Sequence, residues 1–152
     1  MSYEIKVLEL PDQPTLTIRA TQAVADLPQF IGRAYGSIMQ YLTEIGQAPT
    51  GTPFVAYYNL DMQHLDVEAG FPVAKALPER GEIKASSIPG GKFLTTLHIG
   101  SYESAEAAYN ALTEWAKQNG VEPTGVSYEY YLNDPRQDPP VQPETEIRFP
   151  LK

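Results

Sequence analysis

The sequence predicts an α+β fold: tandem duplicated β-α-β-β modules packed about a pseudo-twofold axis, with an antiparallel sheet, two main helices and a groove at the seam. Three observations predict it. Two stretches of the chain match each other in order. Each stretch holds one run of helical periodicity between extended segments. And 152 residues, 42% of them hydrophobic, suffice for one domain over 1–152 but not comfortably for two.

The repeat comes first, because missing one spoils a fold assignment. Shifted by 78, Glu4-Ile5-Lys6 meets Glu82-Ile83-Lys84, Pro11 meets Pro89, and Leu16-Thr17 meets Leu94-Thr95. Shifted by 74, Ala34-Tyr35 meets Ala108-Tyr109, Gly46 meets Gly120, and Pro49-Thr50-Gly51 meets Pro123-Thr124-Gly125. At the same shift Tyr57 meets Tyr131 and Asn59 meets Asn133; at 78 again, Glu68 meets Glu146 and Phe71-Pro72 meets Phe149-Pro150. The changes of offset fall in expected loops, at 20–28 and just after Asn133, where insertions cost little. The repeat therefore runs over about 3–75 and 82–151.

Each half reads alike. Extended segments at 3–10 and 15–21, and at 82–88 and 92–99, are rich in Ile, Val, Leu and Thr and broken by Pro-containing turns. Pro89-Gly90-Gly91-Lys92 lacks phosphate-loop spacing, precedes a strand, and is expected to be a hairpin turn. The first helix carries the stripe Ile31, Ala34, Tyr35, Ile38, Leu42 and Ile45, with Asp26 as N-cap, Pro28 in the first turn and Gly46 as stop. The second carries Ala105, Ala108, Tyr109, Leu112 and Ala116, with Ser101 or Ser104 as cap and Gly120 as stop. Two hairpins follow, 53–60 with 65–73 and 126–132 with 144–150. A module this small buries its sheet face poorly, so the halves are expected to pack on each other, and a seam between modules is a common ligand site.

Composition excludes several functions. A net charge of −8 with no compact Lys/Arg cluster disfavours direct nucleic-acid binding. Without cysteine there are no disulfides or thiolate metal sites, and His64 and His98 lie too far apart for a zinc pair, so no metal or cofactor is expected. No apolar run reaches membrane-spanning length and the N-terminus lacks an apolar core, so a cytoplasmic location is expected.

The sharpest break in the repeat is Glu129, in Val126-Ser-Tyr-Glu-Tyr-Tyr-Leu132, whose mate is Val55. A carboxylate in a strand among aromatics is costly to bury unpaired. Alternation places Ser127, Glu129 and Tyr131 on one face, with Val55 and Tyr57 as their mates. A carboxylate ringed by aromatic faces suits a cation, and with its pKa raised by desolvation it also suits a general base toward water. The plain alternative is a Glu129 that faces solvent or pairs with Arg33, Arg136 or a lysine. Ten tyrosines are many for this length; Tyr35, Tyr57, Tyr109 and Tyr131 pair across the repeat, as does Tyr41 with Trp115. They serve either as packing or as groove walls. His98 is expected to be structural, His64 to sit in a turn, Phe71 and Phe149 to be core, and Glu144, Glu146 and Arg148 to form a solvated face.

The chain resembles the GyrI-like small-molecule-binding domain, also the effector-binding part of some multidrug-responsive transcription activators. The resemblance spans essentially the whole chain. It rests on the duplicated unit, Leu97-His-Ile-Gly-Ser-Tyr102, Ala108-Tyr109 followed by Trp115, Tyr128-Glu-Tyr-Tyr-Leu-Asn-Asp-Pro135, and the closing Thr145-Glu-Ile-Arg-Phe-Pro-Leu151. It implies that Glu129 is the anion of an aromatic groove for lipophilic cations, with Tyr57 and Tyr131 as walls. Val55, Trp115 and Tyr35 complete the ligand-binding set. It also implies two alternatives: a hydrolase opening cyclopropane-type toxins with Glu129 as base and Tyr131 donating a hydrogen bond, and a protein-interaction module modulating DNA gyrase. No helix-turn-helix accompanies the domain, so a stand-alone form without direct nucleic-acid contact is expected. The leading reading is a module that binds an aromatic or lipophilic cation, with no membrane role and a protein partner left open.

Overall fold

A computed structural model describes residues 3–59, 61–133 and 142–152. The fold is α+β, with antiparallel strand pairing and two long helices among the described residues. It divides into two compact units, one of Pro11–Gly90 and one of Met1–Leu10 with Gly91–Lys152.

In the Pro11–Gly90 unit the strands are β2 (Gln13–Gln22), β3 (Phe54–Tyr57), β4 (Leu65–Pro72) and β5 (Lys84–Ile88), in the spatial order β3-β4-β2-β5. Helix α1 (Leu27–Glu44) packs on β2 and β4. Pairing of Leu16 with Phe71 and Ile18 with Ala69 puts these side chains on the helix side, where Ile38, Leu42, Val55 and Val67 are fully buried with them. Each such aliphatic side chain contributes about 1.5–3 kcal/mol by leaving water. The expected stripe on α1 is rotated slightly: Phe30 and Tyr41 are buried, whereas Ile31 and Tyr35 are half-exposed. Tyr41 is drawn in by its hydroxyl, which donates to the carbonyl of Pro78 at 2.7 Å, and by Arg80 over its ring at 4.2 Å. Gly46, at φ +70°, closes the helix as expected.

In the second unit the strands are β1 (Lys6–Leu10), β6 (Gly91–Ile99), β7 (Ser127–Tyr131) and β8 (Glu144–Pro150), in the order β1-β6-β8-β7. Helix α2 (Glu106–Asn119) packs on β6 and β8 and buries Ala108, Leu112 and Ala116 against Leu94 and Ile147. Gly120, at φ +67°, ends it. Neither Ser101 nor Ser104 caps an α2 amide through its side chain; a 3₁₀ turn, Tyr102–Ala105, precedes the helix, and both serines are taken up by the His98 cluster described below.

The strand assignment differs from the expectation in one respect. The first strand of each repeat belongs to the unit built by the other repeat: β1 pairs with β6, and β5 with β2. Pro11-Asp12 and Pro89-Gly90 are therefore links between strands of different units, not hairpin turns. Two-residue hairpins need φ > 0 at the first central position, which proline cannot adopt. The links lie side by side, and the Gly90 amide donates to Asp12 Oδ1 at 2.5 Å.

Candidate functional site

Strand β7 alternates as its sequence predicts. Tyr128 and Tyr130 are buried on one face, and Ser127, Glu129 and Tyr131 are half-buried on the other. Register defines the second face: Glu129 lies opposite Ile147, which lies opposite Thr96, and Tyr131 lies opposite Thr145, which lies opposite His98. Ile147 packs against α2, so Glu129 sits on the helix side of its sheet.

Two hydroxyls hold the Glu129 carboxylate. Tyr109, from α2, donates to Oε2, and Tyr131 donates to Oε1 at 3.1 Å. Tyr109 is itself positioned by stacking on Phe149, with centroids 5.7 Å apart and planes at 15°. Among the described residues no lysine or arginine pairs with Glu129. Arg33, a partner considered from the sequence, is paired with Glu82 at 2.9 Å, and Arg136 lies outside the described residues. Loss of hydration raises the Glu129 pKa above the ordinary carboxylate range; the Tyr109 and Tyr131 hydrogen bonds and the nearby His98 pull it back only in part.

His98 is buried and satisfied. Its Nδ1 lies 3.0 Å from the Tyr3 hydroxyl, and its Nε2 lies 3.0 Å from both the Ser101 carbonyl and Ser104 Oγ. A carbonyl can only accept, so Nε2 carries a proton and donates to it. With that nitrogen protonated His98 cannot activate Ser104 as a nucleophile. The cluster ties the start of the chain to the α2 entrance, which is the structural role expected of it. His64 is exposed, 3.7 Å from Asp61, also as expected.

The other predicted residues fall as follows. Trp115 lies on α2, partly packed against the helix–sheet core. Tyr35, Val55 and Tyr57 belong to the Pro11–Gly90 unit. There Tyr35 donates to the Phe54 carbonyl at 2.9 Å and lies 5.2 Å from the Phe71 ring; Val55 is fully buried opposite Ala69, and Tyr57 lies opposite Val67. The structure thus joins Glu129 and Tyr131 directly and adds Tyr109, which the sequence reading left out of the site. The signal for Tyr109 was its match to Tyr35. Phe149, expected in the core, is half-buried and serves as the platform for Tyr109.

The expected solvated face of Glu144, Glu146 and Arg148 is corrected. Arg148 lies over the buried Tyr130 ring at 4.2 Å and donates to Glu146 at 2.5 Å, and Thr95 donates to the same carboxylate at 3.1 Å. The long arginine stem covers apolar surface that period-2 patterning reads as polar. Among the described residues no cluster of His, Asp and Glu is placed to hold a metal, and no helix is long and apolar enough to cross a membrane.

The family described as the GyrI-like small molecule binding domain matches residues 3–152. Among solved structures, the C-terminal domain of EcmrR is 23% identical with a TM-score of 0.79, covering 100% of this chain and 99% of that one. The full EcmrR chain in its DNA complex is 24% identical with a TM-score of 0.84; 99% of this chain is covered, and it spans 57% of that longer chain. SAV2435 bound to tetraphenylphosphonium is 11% identical with a TM-score of 0.64, covering 100% of this chain and 94% of that one. A hydrolase from Listeria innocua is 14% identical with a TM-score of 0.71, covering 98% and 92%. At these identities the likeness establishes the shared fold. No curated protein matches the chain.

Proposed function

Because the chain belongs to the GyrI-like small-molecule-binding domain family, we propose that its ligand is an apolar, aromatic cation and that Glu129 is the anion that receives it. One observation carries this reading: a desolvated carboxylate on a strand interior, held by tyrosine hydroxyls alone, with no cationic side chain opposite it among the described residues. Such a group keeps an uncompensated demand for positive charge, and aromatic faces beside it add cation–π attraction. One further observation agrees with it: the tetraphenylphosphonium bound by SAV2435, a protein of similar fold. Tyr131 supplies one wall; Tyr57, Val55, Tyr35 and Trp115 are assigned to the ligand set from the sequence, and single substitutions test each.

The experiment is a thermal-shift panel of aromatic cations and matched neutral analogues on the native protein and on Glu129→Gln. A ligand that binds only the folded state raises the melting temperature with occupancy. The expected result is stabilisation by cations that Glu129→Gln removes. Equal loss for cations and neutral analogues contradicts a charge role.

The raised pKa of Glu129 also favours a second reading, hydrolysis of a reactive ligand with Glu129 as general base toward water. It predicts turnover of a bound strained electrophile that Glu129→Gln abolishes with binding intact.

A further inference from the structure

Thr145 on β8 is 1% exposed, and its hydroxyl is the one buried side-chain polar atom among the described residues without a hydrogen-bond partner. Such a group costs about 1–3 kcal/mol unless something completes it. Its neighbours are committed elsewhere. His98, opposite it on β6, has both nitrogens engaged, and the Tyr131 hydroxyl, opposite it on β7, is given to Glu129.

Thr145 and Glu129 are cross-strand diagonal neighbours on the helix side of the same sheet, because Thr145 faces Tyr131 and Glu129 faces Ile147 two residues on. Diagonal positions lie roughly 7 Å apart, and the Tyr131 hydroxyl joins their two rows by reaching Oε1. The Thr145 hydroxyl can donate as well as accept, but an aryl-alkyl ammonium ion carries no acceptor, so such a cation bonded to both has to present two donors, one to the carboxylate and one to the hydroxyl oxygen. A quaternary onium ion has none. A tertiary ammonium has one. A primary or secondary ammonium has at least two.

We infer that Thr145 is a specificity-determining contact of the Glu129 site, and that the site selects primary or secondary aryl-alkyl ammonium ions over quaternary ones. This rests on the cation-binding reading of Glu129 and adds the class of cation. An N–H donated to a hydroxyl from a charged nitrogen is worth about tenfold or more in affinity.

The test uses two probes of equal charge and aromatic area, 1-naphthylmethylammonium and its N,N,N-trimethyl analogue, titrated calorimetrically at neutral pH. The native protein is expected to bind the primary ammonium at least tenfold more tightly. Thr145→Val, which keeps the shape and removes the hydroxyl, is expected to erase that preference while leaving the trimethyl probe unchanged; Thr145→Ser is expected to retain it. Unliganded Thr145→Val is expected to melt no lower than the native protein, because it loses an unsatisfied group.

Equal binding of the two probes to the native protein overturns the inference, as does a preference that survives Thr145→Val. A lower melting temperature of unliganded Thr145→Val with an unchanged preference also overturns it, because the hydroxyl then serves a structural water. Glu129→Gln separates the two levels. If it abolishes binding of both probes while Thr145→Val changes neither, this inference fails and the cation reading stands. If neither probe binds the native protein, or Glu129→Gln leaves both affinities intact, the cation reading fails and the inference with it.

Discussion

In the Pro11–Gly90 unit the Tyr35 ring lies 5.2 Å from Phe71, and its hydroxyl donates to the Phe54 carbonyl. In the other unit the matched Tyr109 ring lies 5.7 Å from the matched Phe149, yet its hydroxyl donates to the Glu129 carboxylate. The strand position that differs is 55 against 129, valine against glutamate. On the opposite faces the units agree again: Thr17 donates to Glu68 at 2.6 Å, and Thr95 to Glu146 at 3.1 Å. A single helix tyrosine thus serves two ends. Beside valine it satisfies backbone and stabilises; beside glutamate it holds a carboxyl group in place. The two units keep the same tyrosine–phenylalanine pairing around valine in one and glutamate in the other.

The strongest challenge to this comparison is to make the units alike. Val55→Glu places a carboxylate at a fully buried position where the matched tyrosine hydroxyl is already committed. It should destabilise the protein by about 4 kcal/mol, read as a lower urea midpoint. A loss below about 1 kcal/mol would mean that Tyr35 releases Phe54 and that the two positions are interchangeable.

A smaller effect separates the roles of the two tyrosines. Tyr35→Phe should cost about 1 kcal/mol at every pH, since it removes one hydrogen bond between uncharged groups. Tyr109→Phe should instead act on titration. Its hydroxyl holds the Glu129 pKa down against the effect of burial, so its removal raises that pKa further. The sign for stability follows. A carboxyl whose folded pKa exceeds its unfolded value favours folding most below the unfolded pKa, about 4.3, and loses that contribution as pH rises to the folded value. Stability of Tyr109→Phe, relative to Glu129→Gln, should therefore decline over a wider pH span than that of the native protein. A profile identical to the native one would show that Tyr109 leaves the carboxyl untouched.

Much of the fold is legible because its signals are local. Helical spacing, the stops at Gly46 and Gly120, and the two hairpins after the helices all depend on residues near one another in the chain. The exchange of β1 and β5 is not local. Which strand an extended segment pairs with depends on sheet neighbours some 80 residues away, and the Pro11 and Pro89 segments, expected as turns, are links. Glu129 is legible because it violates strand chemistry and breaks the repeat. Tyr109 is less so, because a tyrosine on an apolar helix stripe looks the same whether it meets a carbonyl or a carboxylate. Thr145 carries no signal at all: threonine is ordinary in a strand, and only three-dimensional neighbours reveal that its hydroxyl has no partner.

The central claim, that Glu129 is the anion of the site, is tested most directly by counting protons. Titration calorimetry with the N,N,N-trimethyl naphthyl cation, in buffers of different ionisation enthalpy between pH 4 and 8, reads the protons released on binding. The probe itself does not titrate. A carboxyl raised by burial must ionise to accept the cation, so the account predicts proton release near its pKa, affinity that strengthens as pH rises through that value, and loss of both in Glu129→Gln. Binding without proton release across the whole range, or release that persists in Glu129→Gln, would contradict it.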